Sequence, residues 1–321
     1  SSRPGSAVAP DASELIRLFA ELGVSPAPSW VKAGTRLTYA TTTTPIAGVD
    51  VGLRLDEGGA WVGADGQRLA VGGPDDLRGL LQVDVVALTG ANAVLSVASW
   101  GRPSEEGPPR LSETAIVGVP GAGGDYWISP TALRRTDRAV PADVRFERRP
   151  YEARARRHDA LWIASGRDAV SRLAVYDLES GVLLHLASTM PAVAPRAGDP
   201  DPSPRGGRAL TSSTLVNVRD AAPPWAGARP PDWLAMFRWT DYVGEETTAT
   251  PGGAAATLAR ARHLAVDARG PGWVRLHAED QPTTSGDAPP SPRRSAHACG
   301  PAQYFGLYVP PSALVELRPG Q

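Results

Sequence analysis

The sequence predicts an all-β protein. An N-terminal amphipathic helix is followed by two or three antiparallel β-sheet units, of half-barrel or sandwich type, the first and last related by internal duplication. Three observations predict this. Beyond Pro26 the chain falls into short β-type runs punctuated by glycine and proline. Helical periodicity is confined to the N-terminal stretch and to short turns at 129–135 and 311–317. A series of features near the start of the chain recurs, in the same order, near its end.

The helix is read from its ends inward. Asp11 is an N-cap and Glu14, three residues later, completes a capping box. Leu15, Leu18, Phe19 and Leu22 then follow at helical spacing, and Gly23 stops the helix. A stripe of that kind has to lie on something, so the helix is expected to cap a sheet or a barrel end. Strands are expected at 36–42, 49–55, 60–62, 80–89, 93–100, 113–119, 143–149, 160–164, 171–177, 182–188, 210–219, 237–242, 256–267, 273–278 and 304–309. VYDLESGVLLHL, residues 175–186, is a hairpin turning at Ser180-Gly181, and LTGANAVL, residues 88–95, is a second with Gly90 and Asn92 at its turn. Many short strands at regular spacing argue for sandwiches or barrels, whole or partial.

The duplication rests on several matched features. Pro28-Ser-Trp30-Val matches Pro231-Asp-Trp233-Leu, and each tryptophan has a tyrosine nine residues later, Tyr39 and Tyr242. VDVVALTGANAVLSVAS then matches LAVDARGPGWVRLHA, and each is followed by a Pro-rich polar loop, 101–110 or 280–294, and a return strand. The series closes with YWISPTAL at 126–133 and LYVPPSAL at 307–314, which share Pro130/Pro311, Ala132/Ala313 and Leu133/Leu314 but not Ser129. The residues kept are those that shape the backbone, so the motif reads as a closing element rather than an active site. The expected organisation is a flexible tether at 1–10, the helix within 11–27, and β-units at 28–140, 141–222 and 223–321. The middle unit carries a Pro-rich insertion at 191–208, and PPWAGARPPDW at 223–233 is a stiff connector.

Composition sets the classes. A chain of 321 residues with 42% hydrophobic and 21% charged residues folds and buries substantial cores. The formal charge of −1 gives no field that favours nucleic acid, and no apolar run is long enough to span a bilayer. Cys299 is the only cysteine, so an intrachain disulfide is impossible. Lys32 is the only lysine beside many arginines, which fits a GC-rich bacterial coding sequence. The small, polar opening and the strand-rich pattern together point to an extracytoplasmic protein, periplasmic or cell-surface, whose leader has been removed.

The run VYDLESGVLLHLAS and the strand-only layout around it resemble the β-half-barrels of bacterial extracytoplasmic proteins of the lipoprotein-carrier type. The resemblance implies a curved antiparallel sheet around an apolar groove that takes lipid. The chain departs from those carriers in its duplication and in having only residues 12–22 as a helix to plug the groove.

Local catalytic motifs are absent: there is no G-x-S-x-G, H-E-x-x-H, C-x-x-C, phosphate-binding loop or dinucleotide fingerprint. Gly121-Ala-Gly-Gly124 precedes a strand-like run where a phosphate cradle would need a helix. His297 and Cys299 share a strand face, but no orienting group is evident, and a lone buried cysteine behaves as a small hydrophobe. His158, His185, His263 and His277 lack ligand spacing, so no metal and no cofactor is expected. The segment 144–159 is rich in arginine, and Arg145, Arg148 and Arg149 are candidates for an anionic headgroup. Trp30, Trp127 and Trp233 occupy matched positions and read as anchors. Trp61, Trp100, Trp162 and Trp273 do not, and they are the candidates for pocket walls.

The leading expectation is a non-enzymatic extracytoplasmic binding or scaffolding protein with an apolar or amphipathic ligand in a concave sheet face. Its partner is then a lipid or other amphipathic small molecule, or a protein. The second is a hydrolase-type enzyme whose residues converge from separate strands, and the third a structural envelope or interaction module.

Overall fold

The computed structural model describes residues 17–19, 22, 25–46, 54–55, 61–62, 77–101, 110–135, 141–153, 155–167, 170–191, 208–223, 226, 231–248, 256–282, 293–304 and 307. They form two large antiparallel sheets. The first contains β1 (Thr35–Ile46), β4 (Leu77–Leu88), β5 (Ala93–Gly101), β6 (Arg110–Gly118), β7 (Val144–Ala153), β8 (Arg156–Arg167), β9 (Val170–Asp177), β10 (Leu183–Pro191) and β11 (Arg208–Asp220). Its order is β6-β5-β4-β1-β11-β10-β9-β8-β7. Strands from 28–140 and from 141–222 therefore lie in one nine-stranded sheet, joined where β1 pairs with β11. The second sheet contains β12 (Trp239–Thr248), β13 (Ala256–Gly270), β14 (Trp273–Pro282) and β15 (Arg293–Cys299), in chain order. A two-residue pair, β2 (Arg54–Leu55) with β3 (Trp61–Val62), completes the strands.

The all-β expectation holds, and both hairpins form where glycine and asparagine place them. Gly181 has φ +76° and sits where a Cβ would meet the Ile128 carbonyl, so no other residue fits this turn without strain. At the other turn the Thr89 amide donates to the Asn92 carbonyl. The expected turn at 129–135 is a short helix, α1 (Pro130–Leu133), with proline at its start. The expected strand at 304–309 is not one where it is described, at residues 304 and 307. Only residues 17–19 and 22 of the expected N-terminal helix, and only Leu307 of LYVPPSAL, lie among the described residues.

One face of the nine-stranded sheet carries the main core. Leu37 and Tyr39 of β1 stand opposite Val83 and Leu81 of β4, and Val85, Leu95 and Val97 continue the face. The chain after β6 folds back over this inner face. Ile128 donates its amide to the Gly181 carbonyl, and Leu183 donates to that of Tyr126, which pins the crossing segment to the 175–186 hairpin. Trp127 is fully buried, donates from its indole to the Pro120 carbonyl, and lies edge-on to Trp30. Phe19 and Leu22 are buried in the same core, and Phe19 stacks on Phe146.

The second sheet packs on the opposite side of β4–β6. Val86, Ala87, Val94, Ala115 and Val117 form one apolar cluster with Ala268, Trp273 and Ala298. The Ala302 amide donates to the Val86 carbonyl at the same junction. No helix among the described residues is long and apolar enough to cross a membrane.

The four strands of the second sheet repeat the pairing of β1, β4, β5 and β6. Leu37 pairs with Val83 and Tyr39 with Leu81; Thr240 pairs with Leu264 and Tyr242 with Arg262. Val85–Leu95 and Ala87–Val94 flank a bulge, as do Val266–Leu276 and Ala268–Arg275. Ala93 pairs with Gly118, and Val274 with Cys299. Each final strand runs into an isolated bridge, Val119 to Ala122 in one set and Gly300 to Gln303 in the other. Order, register and bulge thus coincide position by position.

Candidate functional site

The crossing segment leaves part of the inner face open. A cavity of 140 Å³ remains beside Tyr39, walled by Leu81, Ile116, Tyr126, Leu183 and Leu186, with Ser213 and Asp125 as its polar members. Strand alternation places these side chains here: Tyr39, Leu81 and Ile116 lie on one face because their positions pair, directly or through Leu95 and Ser99, across β1, β4, β5 and β6. Beyond the cavity the same face continues as half-buried Thr41, Thr43 and Ser188.

The walls are electrostatically quiet. Tyr39 donates its hydroxyl to the Leu183 carbonyl at 3.2 Å, and burial holds its pKa well above the ordinary phenol value. Tyr176 donates to the Asp125 carbonyl. The Asp125 carboxylate is paired with Arg172, both largely shielded from solvent. An apolar pocket with an ion pair at its side suits a guest with an apolar end and a polar one.

A second opening, of 510 Å³, lies between a 3₁₀ turn (Asp232–Ala235) and the β13–β14 hairpin, lined by Leu234, Arg269, Gly270, Trp273 and Val274 among others. Arg269 at its wall already donates to the carbonyls of Ala235 and Phe237. Trp273 is buried here, with an indole N–H that has no partner among the described residues.

The residues proposed from sequence do not converge on one site. Trp162 and Arg149 do meet: the guanidinium lies 3.5 Å from the indole centroid, and the indole donates to the Arg149 carbonyl. Tyr151 continues this row, edge-on to Trp162 and stacked with His185, which contacts the Thr214 hydroxyl at 2.9 Å. Burial lowers the His185 pKa to about 4, so the ring is neutral at ordinary pH. Arg148 donates to the Arg134 carbonyl, and Arg145 is exposed. Trp100 is half-buried on β5 between Leu80 and Leu111, and Trp61 lies on β3 opposite Leu55. No group of three or more metal-ligating side chains occurs among the described residues.

A polar cluster at the junction of the sheets has no local sequence signature. Ser295 Oγ lies 2.9 Å from His297 Nε2, and Glu113 of β6 approaches Nδ1 at 3.7 Å. Arg262 and Asp280, paired through two bonds of 2.5 and 2.9 Å, lie close enough to perturb both His297 and Glu113. Burial brings the His297 pKa down to about 4 and raises that of Glu113. Ser295 and His297 sit two apart on β15, which a same-face pattern could have flagged, whereas nothing in the sequence marks Glu113 as their neighbour. Cys299 is buried, its thiol contacts the Tyr304 carbonyl, and burial pushes its pKa up to about 12, which disfavours the reactive thiolate near neutral pH.

No protein-family profile matches the chain, and no curated protein is similar to it in sequence.

Proposed function

We propose that this is a non-catalytic binding protein that holds an apolar or amphipathic small molecule against the inner face of its nine-stranded sheet. The observation that carries this is the cavity at Tyr39, Leu81 and Ile116, apolar on its walls and continued by a half-buried hydroxyl-lined face. Its size sets the kind of guest. A volume of about 150 Å³ matches a benzene-sized group, so a ring or the end of a chain is the guest this half-open pocket suits. About six methylenes at about 0.8 kcal/mol each give roughly 5 kcal/mol, close to the low-affinity end of the millimolar-to-micromolar range. Tighter binding draws on the Thr41, Thr43 and Ser213 stretch and on the Asp125–Arg172 pair. An extracytoplasmic location, where such ligands are carried between surfaces, belongs to the same reading.

The two four-strand sets, on this reading, descend from one duplicated unit. Coincident order, register, bulge position and terminal bridge support the relationship beyond the matched Trp and Tyr of the sequence. In the first set the matched face positions Leu81 and Ile116 line an apolar pocket, whereas Arg262 and His297 stand there in the second.

Titrating the protein with a dansyl-labelled fatty acid tests the binding reading. A saturable, blue-shifted emission that Leu81→Arg abolishes is expected; no saturable signal, or a signal indifferent to Leu81→Arg, would contradict it.

A second reading, a hydrolase, has one specific observation, the Ser295–His297–Glu113 arrangement. A histidine held down to about 4 is a weak general base at neutral pH, which places this reading second. Covalent labelling by a fluorophosphonate that Ser295→Ala removes would promote it.

A further inference from the structure

The two four-strand sets differ at one edge. In the first sheet, the outer edge of β1 is paired along its length with β11, and Tyr39 is fully buried. In the second, β12 holds the equivalent position, and among the described residues it pairs only with β13. Its side chains stand in solvent: Trp239 is 60%, Tyr242 46% and Val243 82% exposed, with Met236 beside them also exposed. An open strand edge carrying large apolar residues is a template for another strand. β7, one of the two edge strands of the nine-stranded sheet, differs. β7 carries Pro150 and the exposed charges Arg145, Glu147 and Arg148, which discourage pairing. β12 has no proline, and its charges, Asp241, Glu245 and Glu246, are all acidic.

We propose that β12 pairs antiparallel with β12 of a second copy of this chain, joining the two four-stranded sheets into one of eight strands. The second copy would supply at β12 what β11 supplies at β1.

The charges on the strand are compatible with a second copy and favour one register. Two copies related by a two-fold axis perpendicular to the sheet keep each face continuous, so the axis passes through a residue position. An axis at Asp241 sets two aspartates opposite each other. An axis at Val243 sets Asp241 opposite Glu245 of the second copy. An axis at Tyr242 avoids both clashes: Tyr242 meets its own copy, Asp241 faces Val243, Trp239 faces Glu245, and Arg238 faces Glu246. The last pair occurs twice by symmetry and joins opposite charges, while like charges directly opposite would destabilise. Arg238 is exposed and its carbonyl accepts from the Val266 amide, so the strand geometry already extends to it.

The test is sedimentation equilibrium on the full chain across a wide concentration range, for wild type, Arg238→Glu, Glu246→Arg and the double variant. The wild type is expected to dimerise reversibly. Each single reversal sets like charges opposite each other at both 238–246 pairs and should raise the dimer Kd by about tenfold or more, and the double variant should restore it. A monomer at every concentration overturns the proposal and leaves the edge to a strand of another protein. A dimer indifferent to the single reversals, or one that the double variant fails to restore, overturns it equally.

Discussion

The first and second four-strand sets share a backbone plan and carry opposite chemistry on it. At matched positions of the pairing, Arg262 stands where the first set has Leu81, Asp280 where it has Ser99, and His297 where it has Ile116. The first set lines a cavity with apolar walls, and the second fills the same place with a bidentate ion pair and a buried imidazole. Other positions stay apolar: Tyr39 and Tyr242, Val83 and Leu264, Val85 and Val266, Leu95 and Leu276. Pairing and bulge are fixed by backbone hydrogen bonds and turn residues, which tolerate changes on the face. The face residues are therefore free to differ, and the difference between the sets is where function is to be sought.

Deleting side chains at the shared apolar positions is expected to have the largest effect. Leu95→Ala and Leu276→Ala each empty a fully buried site and should cost about 2–5 kcal/mol. Urea unfolding measures both. Leu276 belongs to a smaller cluster, with Leu234, Val274 and Cys299, so its cost should fall below that of Leu95. A larger cost at Leu276 would reverse the view of the nine-stranded sheet as the main core.

Acid probes one buried histidine in each sheet next. His185 lies in the first sheet and His297 in the second, both with pKa lowered to about 4 by burial. An unfolded histidine titrates near 6.5, so between those values the unfolded chain binds more protons than the folded one. Stability is thus complete above about pH 6.5 and falls as pH drops towards 4, by on the order of 3 kcal/mol per histidine. Replacing His185 with Gln should remove its share of that slope, and replacing His297 with Asn its own. An unfolding free energy that is flat from pH 7 to 4.5 would show that neither ring is held neutral.

Exchanging face residues tests the chemistry more finely. Leu81→Arg with Ser99→Asp writes the second set's ion pair into the first. The sheet is expected to fold, with affinity for a dansyl fatty acid reduced by about tenfold or more, a difference of about 1.4 kcal/mol. Unchanged affinity would place the ligand elsewhere. The smallest effect compares the two hairpins of the first sheet. Gly181→Ala meets the Ile128 carbonyl at a positive φ and should destabilise by about 1 kcal/mol or more, whereas Gly90→Ala, with open space around it, should stay near neutral in thermal unfolding.

Much of this fold was legible in the sequence because strands and tight turns leave local marks. Alternation placed β4, β5, β9 and β10 to within a few residues, and Ser180-Gly181 placed the hairpin. β15, RRSAHAC, lacks the β-branched and aromatic residues that announce a strand, and only its matched order hinted at it. The joining of 28–140 and 141–222 into one sheet left no mark, because β1 and β11 meet across most of the chain and their Thr- and Ser-rich pairing is generic. The site was less legible. Tryptophans outside the matched pattern drew notice, but the cavity is walled by Tyr39 and Tyr126, the latter within the very stretch that closes the first unit. Trp162 and Arg149 do form a pair, one that packs the sheet rather than lining the cavity.

Native mass spectrometry of gently purified protein tests the central claim most directly. The binding account predicts a small amphipathic molecule retained by the wild-type chain and absent from Leu81→Arg. A wild-type mass equal to that of the bare chain, unchanged after incubation with fatty acid, or an adduct that survives Leu81→Arg, would contradict it.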